Sequence, residues 1–306
     1  MSHLEKLSTL GIHVFERGWL SSNCILLLGS QSSTLVDSGY HTHANQTLLW
    51  LKQQLKGLSL DRLINTHLHS DHCGGNAALQ SVYPNLWTDV PHSIAPAVRS
   101  WDFDRLTFVD TGQDCPPFLT SGVLAEGQTL HLGGLMWRVC LAKGHDPDSV
   151  VLFQEEHRIL ISADALWEDG FGVVFPELTC GAAFDDVELS LNMIEALNPA
   201  IVIPGHGPVF EDAQAALARA RSRLAHFCQH PDKHARHAIK VLIKFKLLEW
   251  QRVSIDDLTS WCQTTPLIRN YMPTQADACV EWMGAVLNEL SRSKALRIDG
   301  PWVLNQ

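Results

Sequence analysis

Short apolar runs and period-two alternation fill the first two thirds of the chain and predict β-strands. The predicted strands are 12–16, 24–28, 33–37, 61–66, 86–88, 123–125, 129–132, 135–141, 150–153, 158–162 and 200–203. Helical spacing follows at 42–58, from 76 to 79, at 91–99 and at 187–197. The first of these helices is expected to pack through Leu48, Leu49, Leu51 and Leu55. Strands followed by a helix, in each of two halves, predict an α/β fold of two packed sheets with helices outside.

The pattern changes near residue 214. Helical periodicity covers 213–226, 238–250, 254–262 and 277–290, with Ser254 as a candidate N-cap. The tail at 296–304 is typical of a two-stranded turn. We therefore predict a first domain at 1–213 and a smaller, mainly helical, winged-helix-like domain at 214–306.

Charge divides at the same place. Residues 1–213 carry a net charge of −15 and residues 214–306 carry +5, within a chain of 306 residues and net charge −10. An acidic surface repels polyanions, and the second domain is only mildly basic for a nucleic-acid-binding domain. We expect that domain to pack on the first or to form a dimer interface, with RNA or DNA contact as the alternative.

Composition indicates where in the cell the protein is expected and in which state its cysteines are expected. No apolar run reaches the length of a membrane span, and the first residues lack the design of an export signal. A cytoplasmic location without a membrane partner is the expectation. The eight cysteines have no paired spacing, which fits reduced, buried thiols. Cys73, beside His72, is expected to be an apolar filler rather than a redox or ligand group.

Metal-ligand side chains crowd into one loop. His67, His69, Asp71 and His72 come directly after the apolar pair 63–64 and directly before two glycines. The order predicts a buried strand, a tight loop and a helix, which is where open α/β sheets tend to bind ligands. Imidazole nitrogens and carboxylate oxygens are the ligands that zinc and similar divalent metals prefer. The loop is therefore a candidate metal site.

Three further residues of the same chemistry follow later apolar runs. His145 comes after 136–141, Asp164 after 159–163, and His206 after 201–203. Each lies beside a glycine or another small residue, which lets the backbone approach closely. Together with the loop they give four strand ends that carry metal-ligand chemistry.

These seven positions resemble the signature of the metallo-β-lactamase-fold, glyoxalase II-like hydrolases: His-x-His-x-Asp-His, a distant His, an Asp, and a His in a Gly-His-Gly turn. The resemblance covers about residues 12 to 210 and implies a four-layer αβ/βα sandwich. It also implies one metal held by His67, His69 and His145, a second held by Asp71, His72 and His206, and Asp164 bridging the two.

Two cations about 3.5–4 Å apart can share a bridging water and present it as hydroxide. Asp71 is a candidate catalytic group that steers the hydroxide's proton, and Lys143 is a candidate contact for a substrate anion. The ligand set favours zinc and also accepts iron or manganese. The expected function is hydrolysis of a small-molecule ester or thioester. The alternatives are a phosphodiesterase or endoribonuclease that acts on RNA, and a regulatory ligand-binding protein with little turnover.

Several other segments are candidates for the surroundings of the site. The aromatic, irregular stretch 100–120 is expected to cover the cleft, and a surface loop pinned by its aromatics is an equal alternative. Trp167, Phe171 and Phe175 are candidates for the pocket lining. The histidines at 226, 230, 234 and 237 are expected to be solvated or to contact the cleft edge, rather than to hold another metal.

Overall fold

The computed structural model describes residues 3–30, 32–179 and 182–306, so Cys180 lies outside the described residues. Six strands form the first sheet, in chain order. They are β1 (Ile12–Phe15), β2 (Cys24–Leu28), β3 (Ser33–Val36), β4 (Arg62–Ile64), β5 (Trp87–Pro91) and β6 (Gly122–Leu124). The first three strands are antiparallel neighbours, and β3 to β6 run parallel. The parallel strands therefore end at one edge of the sheet.

Five strands form the second sheet, in the reverse of chain order. They are β7 (Thr129–Leu132), β8 (Leu135–Leu141), β9 (Val150–Gln154), β10 (Ile159–Ala163) and β11 (Ile201–Pro204). Antiparallel pairing of β8 with β9 and of β9 with β10, followed by parallel β10 and β11, gives β8, β10 and β11 one common direction. These three strands also end at one edge.

The two sheets face each other across an apolar core, because alternate residues of a strand point to opposite faces. On β2, Ile25 and Leu27 pack into this core with residues of the second sheet such as Trp137. The intervening Cys24 and Leu26 pack outward, against the helix that carries Leu51 and Leu55.

Helices cover both outer faces. They are α1 (His3–Thr9), α2 (Ala44–Leu55), α3 (Ser70–Cys73), α4 (Asn76–Val82), α5 (Ala95–Ser100), α6 (Phe103–Leu106), α7 (Phe108–Thr111) and α8 (Ala183–Leu197), with short 3-10 turns at His41–His43 and Phe175–Leu178. Helix α8 packs on the second sheet through Val187, Leu191 and Ile194. The order is helix, sheet, sheet, helix, so the predicted α/β four-layer fold is confirmed.

The prediction that Leu49 faces the core is wrong. Its side chain is 63% exposed, whereas Leu51 and Leu55 are buried. Residues two apart in a helix lie about 200° apart around the axis, so Leu49 and Leu51 lie on opposite faces of α2.

The C-terminal part consists of helices and a small sheet. Its elements are α9 (Ala213–Gln229), α10 (Pro231–Trp250), β12 (Arg252–Ser254), α11 (Ile255–Thr264), α12 (Pro266–Arg269), α13 (Ala276–Arg292), β13 (Leu296–Asp299) and β14 (Trp302–Asn305). The strands pair in the order β12, β14, β13, and the Ser254 hydroxyl accepts a hydrogen bond from the Asp257 backbone as the predicted N-cap. This part is the predicted helical, winged-helix-like region, and its boundary at 213 stays a prediction.

Helix α10 begins earlier than the predicted start at residue 238. Pro231 opens it, because proline lacks only an amide that has no partner in a first helical turn. Within the described ranges, none of the helices combines the length and the apolar character needed to cross a bilayer.

Candidate metal centre and its cleft

All seven predicted ligand residues converge at the strand ends that share an edge. His67 and His69 follow β4, and Asp71 and His72 lie on α3. The remaining three, His145, Asp164 and His206, follow β8, β10 and β11, the strands of the second sheet that run in one direction. The centre therefore lies where the carboxyl ends of both sheets meet.

The ligand-type atoms fall into overlapping groups, within each of which every pair lies within 4.8 Å. The groups are His67, His69 and His145; His67, His72 and Asp164; and Asp71, His72 and His206. Asp164 lies between the two histidine-rich sides, with one carboxylate oxygen 3.3 Å from His72 Nε2 and the other 3.3 Å from His145 Nε2. The arrangement brings together two sets of three ligands and one carboxylate between them.

Hydrogen bonds outside the centre orient two of the imidazoles. Asp37 lies 2.8 Å from His72 Nδ1 and also accepts from the Thr66 backbone amide and hydroxyl. His145 Nδ1 donates to the Val173 carbonyl. In the neutral ring, a partner on Nδ1 fixes the tautomer that leaves Nε2 as a lone-pair donor.

The residues present fit metal ions. Both His72 Nε2 and His145 Nε2 are buried and make no hydrogen bond within the described ranges. Buried polar atoms without a partner are costly, and divalent cations held by these residues would satisfy them.

The histidines on one side of the centre have lowered pKa values, which favour the neutral imidazole. Burial, together with neighbouring imidazoles, lowers the pKa of His67 well below its usual value and that of His69 to about 3. Burial lowers the pKa of His145 as well. Neutral imidazole is the form that binds a metal, so these three side chains need not lose a proton first.

The other side of the centre is held by opposite charges. Burial lowers the pKa of His72, but Asp164 and Asp37 raise it well above its usual value overall. Burial raises the pKa of Asp71, but His72 and His206 lower it overall. Asp71 is thus ionised at neutral pH, as a carboxylate ligand must be.

Two glycines allow the backbone to approach the ligands. A Cβ on Gly205 would lie 2.2 Å from an oxygen of Asp164, and one on Gly172 would lie 2.4 Å from the His145 ring. Asn23 holds the His206 loop in place, because its side-chain amide donates to the carbonyls of Pro204 and Gly207 on either side of His206.

A cavity of about 540 Å³ opens beside the centre, and ligands including His69, Asp71 and His206 form part of its wall. The predicted lining residues Trp167, Phe171 and Phe175 all border it. Trp19, which the sequence did not single out, stacks on the His206 ring at 5.2 Å between centroids and is 56% exposed. The cavity lining is therefore mostly apolar, and the ligand-type residues lie on one side of it.

Helix α10 forms the opposite wall. His237, Val241, Phe245 and Leu248 recur every three or four residues and all border the cavity. Of the four histidines expected to be solvated or at the cleft edge, His237 does contact the cleft. His234 is instead buried, where its ring accepts from the Val174 amide. An amphipathic stripe shows that α10 packs against something, but it does not reveal that a cleft is what it faces.

The structure does not bring the Lys143 side chain to the cleft or to the ligand-type residues. Its side chain is exposed, it is absent from the cavity lining, and its carbonyl accepts from Ser190 of α8. Gly144, at φ +124°, turns the chain between Lys143 and His145, so the two side chains leave in different directions.

The stretch 100–120 touches the cleft through two polar residues. Thr111 and Gln113 border the cavity. The aromatics Trp101, Phe108 and Phe118 instead pack into a separate apolar core with α5. The expected cover over the cleft is thus limited to the segment around 111–113, and the aromatics pin it to the body of the protein.

A fourth group of ligand-type atoms, His41, Asp114 and Glu249, joins this stretch to α10. The Lys246 ammonium lies 2.8 Å from Glu249 and 3.9 Å from Asp114. A lysine already supplies the positive charge there, so this group is an ion-pair junction.

Comparison with known proteins agrees with this architecture. The family model for the metallo-beta-lactamase superfamily matches residues 17–206. The chain is 27% identical over 225 residues to beta-lactamase-like protein 2 homolog of Caenorhabditis elegans, covering 72% of this chain and 65% of that protein. It is 25% identical over 183 residues to the atrochrysone carboxyl ACP thioesterase of Aspergillus fumigatus, covering 60% of this chain and 37% of that protein.

Solved structures extend the likeness to the whole fold. A metallo-beta-lactamase family protein from Thermus thermophilus is similar over 97% of this chain and 99% of its own, with a TM-score of 0.57 and 19% identity. TTHA1623, solved in a di-iron-bound form, is 26% identical with a TM-score of 0.54, over 68% of this chain and 98% of its own. With a family model that matches most of its length, this chain belongs to the metallo-beta-lactamase superfamily.

Proposed function

We propose that this chain is a metal-dependent hydrolase of small-molecule esters or thioesters. Its centre would hold two divalent cations, one at His67, His69 and His145 and one at Asp71, His72 and His206, with Asp164 between them. The observation that carries the proposal is the convergence of these seven side chains at one centre, where five of them also line an apolar cavity: His69, Asp71, His145, Asp164 and His206. Zinc is the expected metal, and iron or manganese fits the same ligands.

When bound, a pair of divalent cations makes a water nucleophilic at neutral pH and polarises the substrate oxygen. The chain's own residues do the rest. Asp71 borders the cavity and its pKa is lowered, so its free oxygen is available to accept a proton from the attacking water. His72 and His145 are held in place through their Nδ1 atoms by Asp37 and Val173.

The cavity favours an apolar acyl group over a polyanion. Trp19, Trp167, Phe171 and Phe175 surround the side of the cavity next to the centre. The carboxylate of Asp169 borders it, as do the cations Arg223, Lys240 and Lys244, so the preference rests on the apolar lining and not on charge. The relatives named as thioesterases support the same substrate class.

Helix α10 takes part in this proposal as the second wall of the cleft. It contributes Val241, Phe245 and Leu248 to the apolar lining. The 214–306 region would thus be a domain that completes the substrate site, rather than a separate nucleic-acid-binding module.

A second candidate is a phosphodiesterase that acts on RNA. It is favoured by the β-ribbon of the C-terminal part, where Arg252 lies over the Trp302 ring at 3.9 Å and Arg297 is exposed nearby on β13. Stacking aromatics next to arginines suit single-stranded nucleic acid. A regulatory ligand-binding role is the third candidate, but a scaffold has no physical need for seven ligand-type residues.

The test is a turnover screen of the metal-loaded protein against S-acyl glutathione, acyl-CoA, aryl esters and bis(4-nitrophenyl) phosphate. We expect kcat/KM to be highest for one of the acyl substrates, and chelation to abolish it. His69→Ala should remove most of the rate, whereas His157→Ala, at an exposed turn, should not. Faster cleavage of the phosphate diester and of labelled RNA would favour the second candidate. Full activity after complete chelation would refute the proposal.

A further inference from the structure

Two cysteine thiols face each other behind the metal-ligand helix. Cys73 Sγ lies 3.7 Å from Cys115 Sγ. Cys73 is the last residue of α3, directly after His72, and is fully buried, whereas Cys115 is partly exposed. The pair therefore has one thiol that a dissolved reagent can reach and one that only its neighbour can reach.

The segment that carries Cys115 contacts α3 at a second point. The Ser70 hydroxyl donates to the side-chain oxygen of Gln113 at 2.5 Å. Ser70 and Cys73 are three residues apart, so they lie on one face of α3. Thr111 and Gln113 border the cavity. Segment 111–115 is thus the part of the cleft wall that lies directly against the ligand helix.

The geometry allows the two sulfurs to bond. A disulfide bond is about 2.05 Å long, so closure from 3.7 Å requires an approach of about 1.7 Å. Helix α3 is anchored, because the backbone of His72 accepts from Ser38 and that of Ser70 accepts from Gly74. Cys115 lies in the irregular stretch 113–121, outside any helix or strand, so Cys115 is the partner that can move.

We propose that Cys73 and Cys115 are a redox-active pair whose disulfide fixes segment 111–115 of the cleft wall to the ligand helix α3. This inference does not rest on the proposed hydrolysis. The sequence favoured an apolar filler at Cys73. The two cysteines are 42 residues apart, and their proximity arises only in the fold.

The oxidant is a low-molecular-weight disulfide such as oxidised glutathione. The Cys115 thiolate attacks one sulfur of that disulfide, forms a mixed disulfide and releases one glutathione thiol. The Cys73 sulfur then attacks the Cys115 sulfur, and the second glutathione leaves as a thiol. Two protein thiols are oxidised, one glutathione disulfide is reduced, and the two protons end on the two glutathione molecules.

The experiment equilibrates the full chain with glutathione buffers from fully reduced to fully oxidised, alkylates the remaining thiols, and maps the cysteine peptides by mass spectrometry. We expect the oxidised protein to lose two alkylatable thiols and to yield one cross-linked peptide that joins Cys73 and Cys115. Reduction with dithiothreitol should restore both thiols. A stable glutathione adduct on Cys115 beside a free Cys73, or no cross-link under full oxidation, overturns the proposal.

Two variants sharpen the result. Cys115→Ser, at a partly exposed position, should abolish the cross-link, whereas Cys228→Ser, at an exposed position on α9, should leave it unchanged. Digestion with chymotrypsin tests the claim that the disulfide fixes segment 111–115 to α3, because Phe103, Phe108 and Phe118 flank that segment. Cleavage there should be slower in the oxidised than in the reduced protein, and Cys115→Ser should remove the difference. A disulfide that leaves this cleavage rate unchanged contradicts the claim that it fixes the segment.

Discussion

Asp37→Asn tests how the metal centre is oriented. The Asp37 carboxylate accepts from His72 Nδ1 at 2.8 Å, from the Thr66 hydroxyl at 2.8 Å and from the Thr66 amide at 2.9 Å. Asparagine keeps one acceptor oxygen for the amide but places an NH₂ group against the His72 N–H. The backbone tolerates the change, because Asp37 has φ +56° and asparagine is among the residues that adopt this conformation most readily.

The expected loss is one hydrogen bond that holds a metal-binding imidazole. Removing such a partner typically costs about 10–100-fold in metal affinity, which corresponds to about 1.4–2.7 kcal/mol. In the proposed centre His72 would hold one cation with Asp71 and His206, whereas His67, His69 and His145 would hold the other. The variant should therefore lose one of two metal ions first.

Metal titration followed by calorimetry measures this loss. We expect one site to weaken by the stated factor and the other to stay unchanged within about threefold. Asp89→Asn is the matched control, because Asp89 is also a buried carboxylate, on β5 of the same sheet, but pairs with Arg62 at 2.6 Å. Equal weakening of both sites, or no change beyond that of the control, would refute the reasoning.

Three further variants follow from the same contacts. Glu249→Ala removes the nearer of the two carboxylates beside the buried Lys246 ammonium and should lower the free energy of unfolding by about 3 kcal/mol in urea denaturation. Glu211→Ala, in an exposed pair, should cost less than about 1 kcal/mol. Burial lowers the pKa of His234 to about 4. Because the unfolded chain binds that proton near pH 6.5, the free energy of unfolding falls as the pH drops from 6.5 to 4. His234→Gln should therefore shrink the difference in unfolding free energy between pH 7 and pH 5 by about 1–2 kcal/mol. Trp19→Ala should raise KM for the acyl substrate about tenfold and change the free energy of unfolding by less than about 0.5 kcal/mol. The reason is that the Trp19 side chain stacks on His206 with more than half its surface exposed. An unchanged KM would exclude Trp19 from the substrate site.

The strand ends were predictable because the signal is local. His145, Asp164 and His206 each follow an apolar run that forms a strand, and strands of one direction in a sheet end at the same edge. The ligand loop carries its own signal, since four ligand-type residues within six positions have few other uses.

The cleft wall was not predictable for the opposite reason. Helix α10 lies far from the Asp164 loop in sequence, and Phe245 and Leu248 look like ordinary core positions of an amphipathic helix. The position of Lys143 outside the cavity lining goes with a local detail, the positive φ of Gly144 between Lys143 and His145. Such contacts depend on tertiary packing and backbone dihedral angles, which hydrophobic periodicity does not encode.

The most direct test of the proposed centre is anomalous X-ray diffraction from crystals of the zinc-loaded protein. The account predicts two zinc peaks, one at His67, His69 and His145 and one at Asp71, His72 and His206, both in contact with Asp164. A single peak, or peaks located away from these side chains, would contradict it.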